Sequence, residues 1–338
     1  MTIDNLEKEL NQGKLDSLYL LYGEEEYLLE STVKRIKKLF GEVLQGINYI
    51  MLDDTNIENL IGEIETPAFG FEKKLIIVKN SGLFKKEVKS KTKNNNSLLE
   101  KIATYIENHA NQIDKTIILI FIEKEIGKNS LVGTIEKYGV ICNFEKLKPA
   151  QLSIRLRKTC NAYKVNIDEK NIQILIETCG TSMLNLINEI RKLIEYVGPN
   201  GTIKREDIEK LSIKELDCVI FDLTDSLGQK QTKEALETLN ELIYNKEPIQ
   251  KILVTLYNHF KKIYLCILAQ KNKRDLIEVL GLKPNQIFLT TKYKRQSGYF
   301  KEEELKRILL ELINLDYKYK QGLIDINVGL VSILCTYC

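Results

Sequence analysis

The feature that most constrains the fold is a run of short, nearly unbroken apolar segments in the first 146 residues, spaced by stretches with helical period. Leu18-Tyr19-Leu20-Leu21-Tyr22 is the first, and similar segments fall at 47–52, 74–78, 116–122 and 140–144. Helical patterns lie between them at 25–40, 57–64 and 98–108. Strands apolar on both faces and separated by helices imply a mostly parallel sheet covered on both sides. Pro149 marks a change of character, after which the pattern predicts helices and no convincing strand. Helical segments at 149–163, 168–178 and 181–197 end at the breaker cluster Gly198-Pro199-Asn200-Gly201. Further on, Ala235, Leu236, Leu239, Leu242 and Ile243 make one apolar stripe, and Leu305, Ile308, Leu309, Leu312 and Ile313 make another. Pro248 and Pro284 each stand where a helix is expected to begin. The expected organisation is an α/β domain over 1–146, a small helical domain over 147–212 and an all-helical domain over 213–338.

Composition narrows the function classes. With 338 residues, 43% of them hydrophobic and 29% charged, the chain belongs with ordinary globular proteins. Its longest apolar runs, such as that at 117–122, are far short of the ~20 residues that span a bilayer. The acidic, polar start Met1-Thr2-Ile3-Asp4 is unlike a signal peptide. Seven cysteines without regular spacing are read as reduced thiols, and a cytoplasmic location is expected. Cys335 and Cys338 form a C-x-x-C, but they close a helical pattern where a redox pair would open one, and two further zinc ligands are missing nearby. The net charge of +3 does not announce a nucleic-acid partner, although residues 248–338 carry 15 basic and 8 acidic side chains. Residues 85–96, with five lysines and three asparagines, are expected to form a solvated loop.

The first strand is followed by Gly23-Glu24-Glu25-Glu26. A parallel α/β domain with a helical unit after it resembles the layout of AAA+ ATPases, whose phosphate loop needs a second glycine, a lysine and a Ser/Thr hydroxyl. None stands in register here, and three carboxylates would face the triphosphate. Those glutamates suit a helix N-terminus instead. Asp53-Asp54 is read as a capping turn rather than a metal site. With only His109 and His259, neither a histidine triad nor a multi-histidine metal site is available. No intrinsic catalysis and no cofactor are therefore expected.

Four stretches together carry a family resemblance: residues 18–28, 67–78 (Pro-Ala-Phe-Gly-Phe-Glu-Lys-Lys-Leu-Ile-Ile-Val), 221–228 (Phe-Asp-Leu-Thr-Asp-Ser-Leu-Gly) and 315–322 (Leu-Asp-Tyr-Lys-Tyr-Lys-Gln-Gly). They resemble the delta subunit of bacterial DNA polymerase III, in the right order over nearly the whole chain. The resemblance implies an AAA+-like domain that has lost ATP binding, a lid domain and a helical collar. It also implies partners: the sliding clamp (beta), clamp-loader ATPase subunits and delta-prime in a hetero-pentamer, and primed DNA within the complex. The sister subunits resemble one another in a four-cysteine zinc module and a Ser-Arg-Cys motif. Here only Cys142 precedes Pro149, and that tripeptide is absent. In the family an apolar pair just before the third strand grips the clamp, and it falls here on Ala68-Phe69, with Gly70-Phe71 following. Phe69 matches the aromatic member. Ala68 is smaller than the usual residue, so Phe71 is expected to share the contact. From the residues alone, both phenylalanines equally suit a cap on the core where a helix turns into a strand. The alternative function is a free-standing DNA-binding protein using the basic C-terminal helices, which predicts salt-dependent binding.

Overall fold

The computed structural model describes residues 1–84, 93–244 and 246–337. The chain forms two compact units, Met1–Lys146 and Leu147–Cys338.

The first unit comprises α1 (Ile3–Asn11), β1 (Leu18–Tyr22), α2 (Glu26–Phe40), β2 (Tyr49–Leu52), α3 (Leu60–Glu65), β3 (Lys74–Lys79), α4 (Lys93–Thr116), β4 (Ile117–Glu123), α5 (Ser130–Tyr138) and β5 (Val140–Asn143). The five strands are all parallel in the order β2-β3-β4-β1-β5. Leu20 pairs with Phe121 and Ile141, and Ile76 with Leu119 and Ile50, so the central strands are buried on both faces. This burial explains the uninterrupted apolar runs.

Several local expectations need correction. β2 starts at Tyr49 rather than 47, because the Asn48 side chain closes the preceding loop on itself. The helix expected at 57–64 is a 3-10 turn, Ile57–Asn59, continued by α3. α4 runs well beyond 98–108 and is kinked at His109, where φ is −114° and ψ is 15°. Of the basic segment 85–96, residues 85–92 lie outside the described residues.

The second unit begins with α6 (Pro149–Ala162), β6 (Asn166–Ile167), α7 (Glu169–Cys179), α8 (Met183–Val197), β7 (Thr202–Ile203) and α9 (Arg205–Leu211). β6 and β7 form a two-stranded parallel pair, which corrects the expectation of no strand after Pro149. Two residues per strand are too few for any alternation to register. There follow α10 (Leu216–Gly228), α11 (Thr232–Tyr244), α12 (Ile249–Lys271), α13 (Leu276–Leu280), α14 (Leu289–Ser297), α15 (Glu302–Lys320) and α16 (Ile326–Tyr337). Pro284 opens a 3-10 turn, Pro284–Gln286, ahead of α14. α12 is long and apolar enough to cross a bilayer by length and composition, yet Ile252, Leu256, Phe260 and Ile263 pack in the core of this helical unit. Glu215 N–H donates to Thr178 O at 2.9 Å, and Lys292 pairs with Glu177 at 3.6 Å, so the helices on either side of residue 213 pack together.

Candidate functional site

Open parallel sheets bind ligands at the carboxyl ends of their strands, where the strand order reverses. Here that edge holds Gly23 and Asn80, just after β1 and β3, and Glu123, the last residue of β4. A cavity of about 360 Å³ opens there, lined by Gly23, Glu26, Val33, Lys37, Asn80 and Glu123 among others. Two of the loop's backbone donors are already engaged. Gly23 N–H donates to Glu123 O at 3.3 Å and Glu25 N–H to Phe144 O at 2.8 Å. Gly23 has φ +134°, and a Cβ there would lie 2.3 Å from Phe144 O, so only glycine permits this approach. Glu123, buried, accepts from Ser81 N–H at 2.8 Å and Ser81 Oγ–H at 2.6 Å. The loop is thus folded onto the end of β5 instead of curling around an anion. Asp53 sits in a local turn, accepting from Thr55 N–H at 2.9 Å and Thr55 Oγ–H at 2.6 Å. The hydroxyl bond, with the amide bond second, holds its carboxyl below the usual range. Among the described residues no group of three His, Cys, Asp or Glu side chains is placed to hold a metal.

The opposite, amino end of the sheet presents the turn before β3. α3 is capped by Thr66, whose N–H and Oγ–H both donate to Gly62 O, at 3.0 and 2.7 Å. Ala68 O accepts from Phe71 N–H at 3.0 Å, and Gly70 has φ +81°. That is a type II turn, with Phe69 and Gly70 as its central residues; the third position requires positive φ. Phe69 is 79% exposed, the most exposed large apolar side chain among the described residues of the first unit, while Ala68 and Phe71 are half-buried. Of the two readings open from the residues alone, a cap on the core does not describe Phe69.

One residue that sequence reasoning passed over holds this turn in place. Lys74 opens β3 and is only 3% exposed. Its ammonium donates to Glu63 Oε2 at 2.7 Å, Glu63 O at 2.8 Å and Thr66 O at 3.4 Å. A buried cation thus binds the carboxyl end of α3, where carbonyls lack helical partners, to the first residue of β3. Both ends of the turn are pinned, and the tip with Phe69 projects. The available signal was a lysine at the head of a buried strand, which demands a partner.

In the second unit a buried polar cluster ties α10, α12 and α14 together. Gln296 Nε2 donates to Phe221 O at 3.0 Å and to Asp225 Oδ1 at 2.7 Å, which leaves its Oε1 as acceptor for His259 Nε2–H at 2.7 Å. His259 is therefore the neutral Nε2–H tautomer, and burial pushes its pKa down to about 3. Thr224 and Phe221, part of the 221–228 motif, surround it. Cys335 is exposed on α16; Cys338 lies outside the described residues.

Comparison with known proteins places the chain. The family model described as DNA polymerase III, delta subunit matches residues 19–145, and that described as DNA polymerase III delta subunit, C-terminal domain matches residues 217–337. DNA polymerase III subunit delta of Bacillus subtilis (strain 168) is 27% identical over 326 residues, covering 93% of this chain and 91% of that protein. The probable DNA polymerase III subunit delta of Aquifex aeolicus (strain VF5) is 24% identical over 314 residues, covering 89% and 85%. Among solved structures, the Bacillus subtilis DNA clamp loader delta protein has the same fold, with a TM-score of 0.75 and 23% identity over 99% of each chain. With both of its units matched by models of one subunit, and two relatives aligned over most of their length, the chain belongs to the DNA polymerase III delta subunit family.

Proposed function

We propose that this clamp-loader delta subunit binds the sliding clamp through the Ala68–Phe71 turn and helps to open the ring for loading onto primed DNA. The observation that carries the reading is Phe69, 79% exposed at the tip of a turn pinned by Lys74. An aromatic side chain held out on a rigid turn loses little entropy on binding, and aromatic anchors of this kind are frequent hot spots. Ala68 and Gly70 shape the turn, and Phe71 supports its base. The closed Gly23 loop supports a subunit without nucleotide chemistry of its own, whose exposure to the clamp is governed by partners that hydrolyse ATP. Opening then follows as a population shift, the bound subunit favouring the open ring. In the same reading residues 1–146 carry the clamp contact, 147–212 form a lid, and 213–338 form the collar that joins the ATPase subunits and delta-prime in the cytoplasm.

The test is binding of the cognate clamp to the purified chain and to Phe69→Ala, without ATP. Removing the anchor is expected to weaken binding by roughly 30-fold or more, the size of a hot-spot truncation. A wild-type chain that does not bind the clamp refutes the function. Equal binding by Phe69→Ala refutes the site.

A further inference from the structure

Apart from the chain's first residue, the exposed large apolar side chains among the described residues of the first unit are Leu39, Val43, Leu44, Ile47, Met51 and Phe69. Five of them come from the end of α2, the loop 41–48 and β2, and the sixth from the turn before β3. β2 and β3 are parallel neighbours with Tyr49 opposite Leu75, so the segments that precede them emerge at the same end of the sheet.

The loop 41–48 is not loose. Asn48 is fully buried; its Oδ1 accepts from Leu44 N–H at 2.6 Å and its Nδ2 donates to Glu42 O at 2.9 Å. Leu44 O accepts from the N–H groups of Ile47, Asn48 and Tyr49 at 3.1–3.2 Å. Asn48 O in turn accepts from Leu75 N–H at 2.8 Å, one residue beyond the lysine that pins the Phe69 turn. Both loops are thereby fixed to the head of one strand. A loop with its backbone satisfied in this way has no folding reason to hold Val43, Leu44 and Ile47 toward water, and exposed apolar residues gathered in one region mark interaction surfaces.

We infer that Val43, Leu44 and Ile47 form a second contact for the same partner, an apolar platform that packs on the clamp beside the pocket entered by Phe69. The inference rests on the reading of Phe69 as the clamp anchor and adds to it a broad contact that sets the angle of approach. A single inserted side chain leaves rotation about itself free. A platform fixed to the same strand removes that freedom, and a subunit that levers a ring open needs it removed. The occupant is the clamp because platform and anchor are continuous through the head of β3.

The experiment compares clamp binding by the full-length chain, Val43→Ser/Ile47→Ser, Phe69→Ala and the triple variant, with thermal unfolding to check folding. Val43 and Ile47 are 37% and 43% exposed, so the double variant is expected to stay folded, to unfold only a few degrees below the wild type, and to bind the clamp about tenfold more weakly. It is also expected to open the ring less, read from the separation of fluorophores across a clamp interface. A double variant that binds and opens like the wild type overturns the platform while Phe69 stands. Loss with the double variant but not with Phe69→Ala keeps the platform and removes the anchor. A wild-type chain without clamp binding removes both. Should the chain self-associate in sedimentation and Ile47→Glu abolish this without changing clamp binding, the surface belongs to a second copy and the inference fails.

Discussion

Replacing Lys74 by methionine keeps most of the packed stem and removes the ammonium that joins α3 to β3. Two close charge-assisted bonds are lost, at 2.7 and 2.8 Å, together with a weaker one at 3.4 Å. Such bonds contribute about 1.5–3 kcal/mol each when buried. The lysine is 3% exposed, but Glu63 is 32% exposed and regains water once its partner is gone. Removing the buried charge also relieves its desolvation, so the net loss is about 2–3 kcal/mol rather than the sum. The expected result is a lower urea midpoint for the first unit. Faster hydrogen exchange is expected at the Phe71 amide, which is bonded to Ala68 O. Clamp binding is expected to fall about three- to tenfold although Lys74 touches no partner, because an unpinned turn must be ordered on binding. Glu63→Gln supplies the second arm of a double-mutant cycle, with an expected coupling of about 1 kcal/mol or more. A Lys74→Met chain within about 0.5 kcal/mol of wild type, with the Phe71 amide equally protected, would show that the buried pair does not hold the turn.

Two further outcomes are expected. Gly23→Ala would place a Cβ 2.3 Å from Phe144 O at φ +134°, so the first unit should lose about 2–4 kcal/mol in thermal or urea unfolding; a loss under about 0.5 kcal/mol would refute the close approach. His259 has its folded pKa depressed to about 3 from 6.5, so its contribution is complete above pH 6.5 and is lost as pH falls toward 3. At pH 5 the loss is about 2 kcal/mol. Urea midpoints between pH 7 and 4.5 should therefore fall more steeply for the wild type than for His259→Gln, and parallel curves would contradict a neutral buried imidazole.

Much of the architecture was legible because its signals are local. Leu18–Tyr22 is apolar at every position because both faces are covered, and β1 has those bounds. α11 and α15 likewise carry the two apolar stripes, and α12 begins directly after Pro248 as expected. What escaped depends on partners far along the chain or on backbone bonding. The β6–β7 pair joins residues 166–167 to 202–203, and neither segment is long enough to carry a period. The kink at His109 lies inside an otherwise regular helix. For the candidate site, the resemblance located Phe69, but only the structure separates it from Phe71 by exposure. Lys74 looked like a strand residue because Glu63 is eleven positions away, beyond any local pattern. The tight bonding of Asn48 was invisible for the same kind of reason, since an asparagine in a loop is ordinarily a turn residue in water.

The bond from Glu25 N–H to Phe144 O has a consequence for what this fold can become. The place a phosphate would take is closed by main chain, with Phe144, just past β5, supplying the acceptor and Gly23 admitting the close approach. Placing a lysine and a threonine in the loop would give a phosphate its counter-charge but not its full cradle, because Glu25's N–H is already engaged. The loop behaves as a latch. Phosphate binding would require it to lift from Phe144 before any substitution could be of use, and each intermediate would give up native backbone bonding without yet gaining a ligand.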